Sequence, residues 1–120
     1  MGEGLAPVLL IVDGANVVGS VPDGWWRDRR GAAERLRDSL AGRGRGEEIV
    51  LVVEGAARDV ASLPGVRVEA ADGSGDDRIV ELVAGLAGRP CTVVTADREL
   101  RTRVRAYGAD CAGPRSVRAP

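Results

Sequence analysis

Carboxylates follow each apolar run of this chain. Asp13 comes after LLIV, Glu54 after IVLVV, Asp72, Asp76 and Asp77 after VRVEA, and Asp97 and Glu99 after CTVVT. Asn16 stands one helical step beyond Asp13, in the stretch DGAN. Carboxylates gathered at one place repel one another unless a cation lies between them. A donor set of oxygens alone, without His or Cys, suits a hard ion such as magnesium or manganese. If the fold brings these ends together, the physical reading is a divalent-metal site among these acids.

Each residue also has a reading without chemistry. Asp76 and Asp77 follow Ser74 at a helix start, where a Ser cap and first-turn acids stabilise exposed amides and the positive helix end. Thr95, Asp97 and Glu99 admit the same capping role, Asp13-Gly-Ala-Asn16 suits a turn, and Glu54 suits a solvated strand end. Chemistry is favoured by convergence: four independent capping or turn events would otherwise fall on one edge by accident. The two readings are compatible, since a metal-binding carboxylate can also cap a helix.

The elements that must position these groups alternate. PVLLIVD (7–13) and EIVLVVE (48–54) are continuous β-branched-rich runs, as in strands covered on both faces, and VRVEA (66–70) and CTVVT (91–95) are shorter runs of the same kind. Helical spacing recurs between them: Ala32, Ala33, Leu36 and Leu40; Ile79, Leu82, Val83 and Leu86; Leu100, Val104 and Tyr107. A short helix or loop is expected around 56–63 and a weak fifth strand at ADCAG (109–113). AGRGRGEE (41–48) and AADGSGDD (70–77) are Gly-rich connections, and GPRSVRAP (113–120) reads as a frayed tail. Strands alternating with helices imply right-handed crossovers and a parallel sheet clad on both sides, a three-layer α/β sandwich. Ligands of such sheets sit beyond the carboxyl ends of the strands, where the acids are.

Composition bounds the rest. With 120 residues and 44% hydrophobic content, the chain fits one domain with an adequate core about residues 7–113. Seventeen basic and 18 acidic residues give a net charge of -1, so any basic surface for nucleic acid must be local. Every basic residue is Arg, and the accompanying abundance of Ala, Gly and Val suggests a GC-rich bacterial genome. The absence of His removes the usual general base near neutral pH and excludes serine-histidine chemistry within the chain. Cys91 and Cys111 are too few and too far apart for a zinc site or a CxxC motif and read as reduced core residues. No run is long enough for a membrane span and MGEGLAP lacks the features of a signal peptide, so a cytoplasmic protein with no membrane partner is expected. A Walker A motif is absent, and a receiver-domain reading fails for want of a third-strand Asp and any Lys.

IVDGANVVGS, GSGDDRIVEL and VVTADRELR, in this order and spacing, resemble the NYN domains of the PIN-like nuclease superfamily, particularly the YacP-like branch. The likeness spans about residues 8–110. Any one motif is short; the ordered trio is the specific signal. The resemblance implies a three-layer α/β/α fold and a metal-dependent endoribonuclease. Asp13, Asp76 and Asp97 are then ligands of Mg2+ or Mn2+, Asn16 positions a ligand or phosphate, Asp77 is the alternative to Asp76, and Glu54 is secondary. The implied chemistry is hydrolysis by a metal-activated water, leaving 5'-phosphate and 3'-hydroxyl ends. This chain departs from longer relatives in being short, lacking Lys and having a compact 54–66 segment, which leaves substrate choice open.

Substrate grip would fall to Arg27, Arg29 and Arg30 after DGWW, or to Arg98, Arg101 and Arg105 beyond Asp97; the other reading of both groups is a solvated helix face. Trp25 and Trp26 cannot both face the core of a helix, and an exposed indole near Arg either stacks an unpaired base or anchors the loop. RNA is the implied partner, with a ribosome or another protein as possible deliverers. The alternatives in function are a non-catalytic RNA- or ribosome-binding module of the same fold and a toxin-like nuclease held by a protein partner.

Overall fold

The first strand, β1 (Leu9–Asp13), is buried along its whole length because both its faces are apolar. Leu10 and Val12 point into one core and Leu9 and Ile11 into the other. It lies at the centre of a five-stranded parallel sheet with β2 (Glu48–Val53), β3 (Val66–Ala70), β4 (Cys91–Val94) and β5 (Asp110–Ala112), in the order β3-β2-β1-β4-β5. The structure, a computed structural model, describes residues 8–43 and 46–118. The expected strand start at Pro7, part of the Gly-rich connection and the last two residues of the tail lie outside them.

Helices clad both faces. Helices α1 (Gly14–Gly19) and α2 (Arg29–Ala41) send Val17, Val18, Leu36 and Leu40 into the first core. On the other face α3 (Gly75–Ala84) and α4 (Arg98–Arg105) contribute Ile79, Val83, Leu100 and Val104. The expected three-layer α/β sandwich, with its fifth strand, is the fold observed. The chain adds β2 and β3 on one side of β1, then returns across it to add β4 and β5 on the other. Strand order therefore reverses between β1 and β4, and such a reversal opens a crevice beyond the strands' carboxyl ends.

Details of the sequence reading are corrected. DGAN forms not a turn but the start of α1, whereas the short helix or loop expected around 56–63 is found, as a 3-10 turn at Gly55–Ala57 and the loop after it. VRVEA is an edge strand with Arg67 exposed, not a strand covered on both faces. Helix α4 ends at Arg105, so Tyr107 lies beyond its apolar face and is 54% exposed. The tail is packed through residue 118: Val117 belongs to the first core, and Arg118 Nη1 donates to the carbonyls of Val17 at 3.0 Å and Val18 at 2.8 Å. The second guanidinium nitrogen pairs with Asp23. The carbonyls at the end of α1 explain the order: Val17 O already accepts from the Ser20 N–H and hydroxyl, and Arg118 adds a charged donor there and at Val18 O.

Arg118→Ala removes the charged donor from Val18 O, while Val17 O keeps Ser20, and is expected to cost about 1–3 kcal/mol of stability. Urea denaturation checks this, and an unchanged midpoint would show that the tail adds nothing.

Candidate metal centre at the strand ends

Asp13 ends the central strand and begins α1. Its Oδ1 accepts from the Asn16 backbone N–H at 3.4 Å as the helix cap, and its Oδ2 accepts from the Thr95 hydroxyl at 2.9 Å. The side chain is buried, with the residue only 4% exposed, and within it sits a carboxylate with no cationic partner among the described residues. Burial is the main cause that pushes its pKa from 3.8 up to about 6; the Thr95 and Asn16 bonds oppose the shift, and the charges of Asp76 and Glu54 add to it.

Gly14 makes this placement possible. A Cβ at Gly14 would lie 2.5 Å from the Val52 carbonyl oxygen, so only glycine lets α1 leave β1 so close to β2.

Thr95 is the residue the sequence reading undervalued. It is fully buried at the end of β4, and besides donating to Asp13 its Oγ1 accepts from the Asp97 backbone N–H at 3.1 Å. Asp97, not Thr95, caps α4, accepting from Glu99 N at 2.9 Å and Leu100 N at 3.1 Å. Asn16 closes the same edge: its Oδ1 accepts from Ala96 N at 2.8 Å. A hydroxyl directly after an apolar run was the available signal for Thr95, but in sequence it resembles an ordinary cap.

The third loop brings Asp76 and Glu54 to the group. Ser74 caps α3, and Glu54 reaches across from the end of β2 to accept from Gly75 N at 2.9 Å. Asp76, half-buried in the first turn, receives no hydrogen bond from any described residue. Burial raises its pKa most, followed by the charges of Asp97 and Glu54, against a smaller lowering by Arg103. Asp77 instead faces Arg103, at 3.0 Å, with its side chain 70% exposed. The structure thus groups Asp13, Glu54, Asp76 and Asp97, and turns Asp77, Asp72 and Glu99 toward solvent.

These four carboxylates interact through their charges without closing a cage: among the described residues, no three His, Cys, Asp or Glu side chains stand close enough to hold a metal by themselves. Their donor type fits a hard divalent cation. Magnesium retains several waters and is commonly held by one or two carboxylates plus substrate phosphates, so an open set suits it better than a closed one.

The arginines divide. Arg101 Nε donates to the Thr95 carbonyl at 2.8 Å, which makes it a brace for the site rather than a free grip. Arg30 is paired with Asp59 at 3.0 Å and Glu34 at 4.0 Å. Arg27, Arg29, Arg98 and Arg105 are exposed. Trp25 packs partly against the first core while Trp26 is 50% exposed, the two rings meeting edge to face at 5.8 Å. Arg29 lies over the Trp25 ring at 5.3 Å and Arg27 over Trp26 at 5.9 Å. Beside the acidic group, a cleft of about 460 Å3 is bounded by Gly14, Trp25, Arg29 and Glu54.

No protein-family profile matches the chain and no curated protein matches it. Among solved structures, it is similar to the crystal structure of a point mutant of Rae1 (YacP) from Bacillus subtilis, with a TM-score of 0.76 and 21% identity over 92% of this chain and 72% of that one. The chain has a YacP-like fold. Among the described residues no helix is long and apolar enough to cross a membrane.

Two consequences are measurable. Because the folded-state pKa of Asp13 lies above its unfolded value, the folded protein holds an extra proton between about pH 4 and 6, and stability falls as pH rises through that window. The loss is about 3 kcal/mol once the carboxyl is ionised, at 1.36 kcal/mol per pKa unit. Denaturation in EDTA should show Asp13→Asn gaining on wild type from pH 4.5 to pH 7, and a pH-independent difference would refute the burial argument. Gly14→Ala, which forces a backbone shift, is expected to lose about 1–3 kcal/mol in the same assay; retention of wild-type stability would contradict the close approach to β2.

Proposed function

We propose that the protein is a divalent-metal-dependent endoribonuclease of the NYN, PIN-like type, acting on RNA phosphodiester bonds. One observation carries this reading: Asp13, a buried carboxylate without a cationic partner among the described residues, shares the crevice at the sheet's reversal point with a half-buried Asp76 that none of the described residues hydrogen-bonds. Anionic charge kept there at a cost in stability is what a metal-dependent site requires. The YacP-like fold and the ordered motifs around Asp13, Asp76 and Asp97 support the same conclusion.

Asp13, Asp76 and Asp97 would hold Mg2+ or Mn2+, with Glu54 adjoining and Asp77 at the margin. When bound, such an ion lowers the pKa of a water, holds a non-bridging phosphate oxygen and stabilises the charge of an in-line displacement. The chain's own residues keep the arrangement in place. Thr95 fixes the Asp13 rotamer, and Arg101 fixes Thr95 through its carbonyl. Asn16 spends its amide oxygen on Ala96, which leaves its amide N–H groups to donate to a phosphate oxygen. Exposed Arg27, Arg29 and Arg98 attract the flanking phosphates, and chains of this kind bind more weakly as salt rises.

The test is cleavage of a mixed set of 5'-labelled single-stranded and structured RNAs with manganese or magnesium. Wild type is expected to cut. Asp13→Asn should lose at least about 1000-fold in rate, the scale of losing a principal electrostatic element of a site, and EDTA should abolish cutting. Equal cutting by Asp13→Asn would sink the assignment of Asp13. Binding of RNA without cutting under any metal would favour the non-catalytic module, and would direct attention to a ribosome or protein partner.

A further inference from the structure

We infer that the cleft beside the acidic group is a subsite for one unpaired nucleobase of the RNA, next to the scissile phosphate. The inference rests on the ribonuclease reading above and specifies how that site selects its substrate. The cleft's volume of about 460 Å3 lies within the roughly 300–1,000 Å3 of small-molecule sites. Its lining includes the small apolar residues Ala15, Val18 and Ala33, which leave room for a flat group. One wall is Trp25, packed against the core and so held in place, with the Arg29 guanidinium 5.3 Å over its ring. A guanidinium braced on an indole offers a flat cationic surface together with N–H donors, a combination that stacks on a base and reaches its ring nitrogens or carbonyl oxygens. Glu54 supplies the opposite chemistry at the same cleft, an acceptor for base N–H groups.

Position ties the cleft to the cutting centre. Gly14, on its lining, directly follows Asp13, and Glu54 lines the cleft while its charge acts on Asp13 and Asp76. A nucleotide whose phosphate sits over the carboxylates therefore has its neighbouring base within reach of the slot. A base stacked inside a duplex cannot enter, so the subsite favours single strands, bulges and loops over paired RNA.

The experiment is an abasic scan. A single-stranded RNA cut by the wild-type protein is remade with one abasic nucleotide at each position near the cut, and kcat/KM is measured for wild type, Arg29→Ala and Ala56→Phe. Arg29 is exposed, so its removal spares the core; Ala56 is an exposed cleft residue whose enlargement fills the slot while leaving the Arg29 charge in place. Circular dichroism and melting confirm that both variants fold. One position is expected to lose about tenfold in wild type, as for loss of a stacked base. Each variant should lose about as much on intact RNA, and the abasic nucleotide should then cost little more in either. A flat scan, or an abasic loss that persists undiminished in both variants, overturns the subsite while metal-dependent cleavage stands. Failure to cut any RNA with either metal overturns the ribonuclease reading and the subsite with it.

Discussion

The hydrogen bond from the Thr95 hydroxyl to Asp13 joins the two strands between which the sheet reverses its order. Strands β1 and β4 are hydrogen-bonded neighbours only up to Val12 and Val94; beyond that pair, the chains diverge into α1 and α4. The Thr95 side chain continues the connection where the backbone ladder stops. It donates to Asp13 and accepts from the Asp97 amide, so one buried hydroxyl sets the spacing of two carboxylates that come from opposite halves of the chain. Asn16 makes a second tie between the same halves through Ala96. Both ties are side chain to side chain or side chain to backbone, in a sheltered crevice where a lost partner leaves a polar group unsatisfied.

This arrangement works against stability at its centre and compensates at its edges. The amino ends of α3 and α4 open at the crevice, and their partial positive charge lies beside Asp76 and Asp97. Asp97 gains two backbone N–H bonds there and Glu54 gains one from Gly75. Asp13 gains a weaker set and suffers the most burial, and Asp76 gains none from the described residues. The charge that the fold fails to neutralise is therefore concentrated on two residues at the β1 end of the crevice, not spread over every acid that follows a strand.

Much of this was legible in the sequence because it depends on period and order. Continuous apolar runs identified the central strands, and the acid after each run foretold a set of carboxylates at one edge of the sheet. The parts that were not legible depend on which way a side chain turns. Asp76 and Asp77 are adjacent first-turn acids of the same type, yet the helix rotates one toward Glu54 and the other toward Arg103. Arg98 and Arg101 share a helix, but a difference in facing makes one exposed and the other a brace on Thr95. The tail GPRSVRAP carries every sign of a loose end, and it is ordered because Val117 enters the first core and Arg118 reaches carbonyls at the end of α1, 100 residues away in sequence.

The arginines show why net charge was a poor guide to this surface. An Arg that braces a carbonyl, as Arg118 and Arg101 do, contributes to the charge count but not to a nucleic-acid footprint. Arg30, Arg78 and Arg103 are likewise spent on carboxylates. What remains exposed near the crevice is a smaller group on two sides, Arg27 and Arg29 beside the tryptophans and Arg98 at the start of α4. Such a divided set provides two positive borders around a negative centre. On the ribonuclease reading proposed above, a polyanion approaching that centre would be held by its flanks while its reacting phosphate met the carboxylates that, among the described residues, lack compensation. On the same reading the acidic centre would repel phosphate in the free protein, so a bound cation and the polyanion would each relieve the other's electrostatic penalty, and their binding is expected to be mutually dependent.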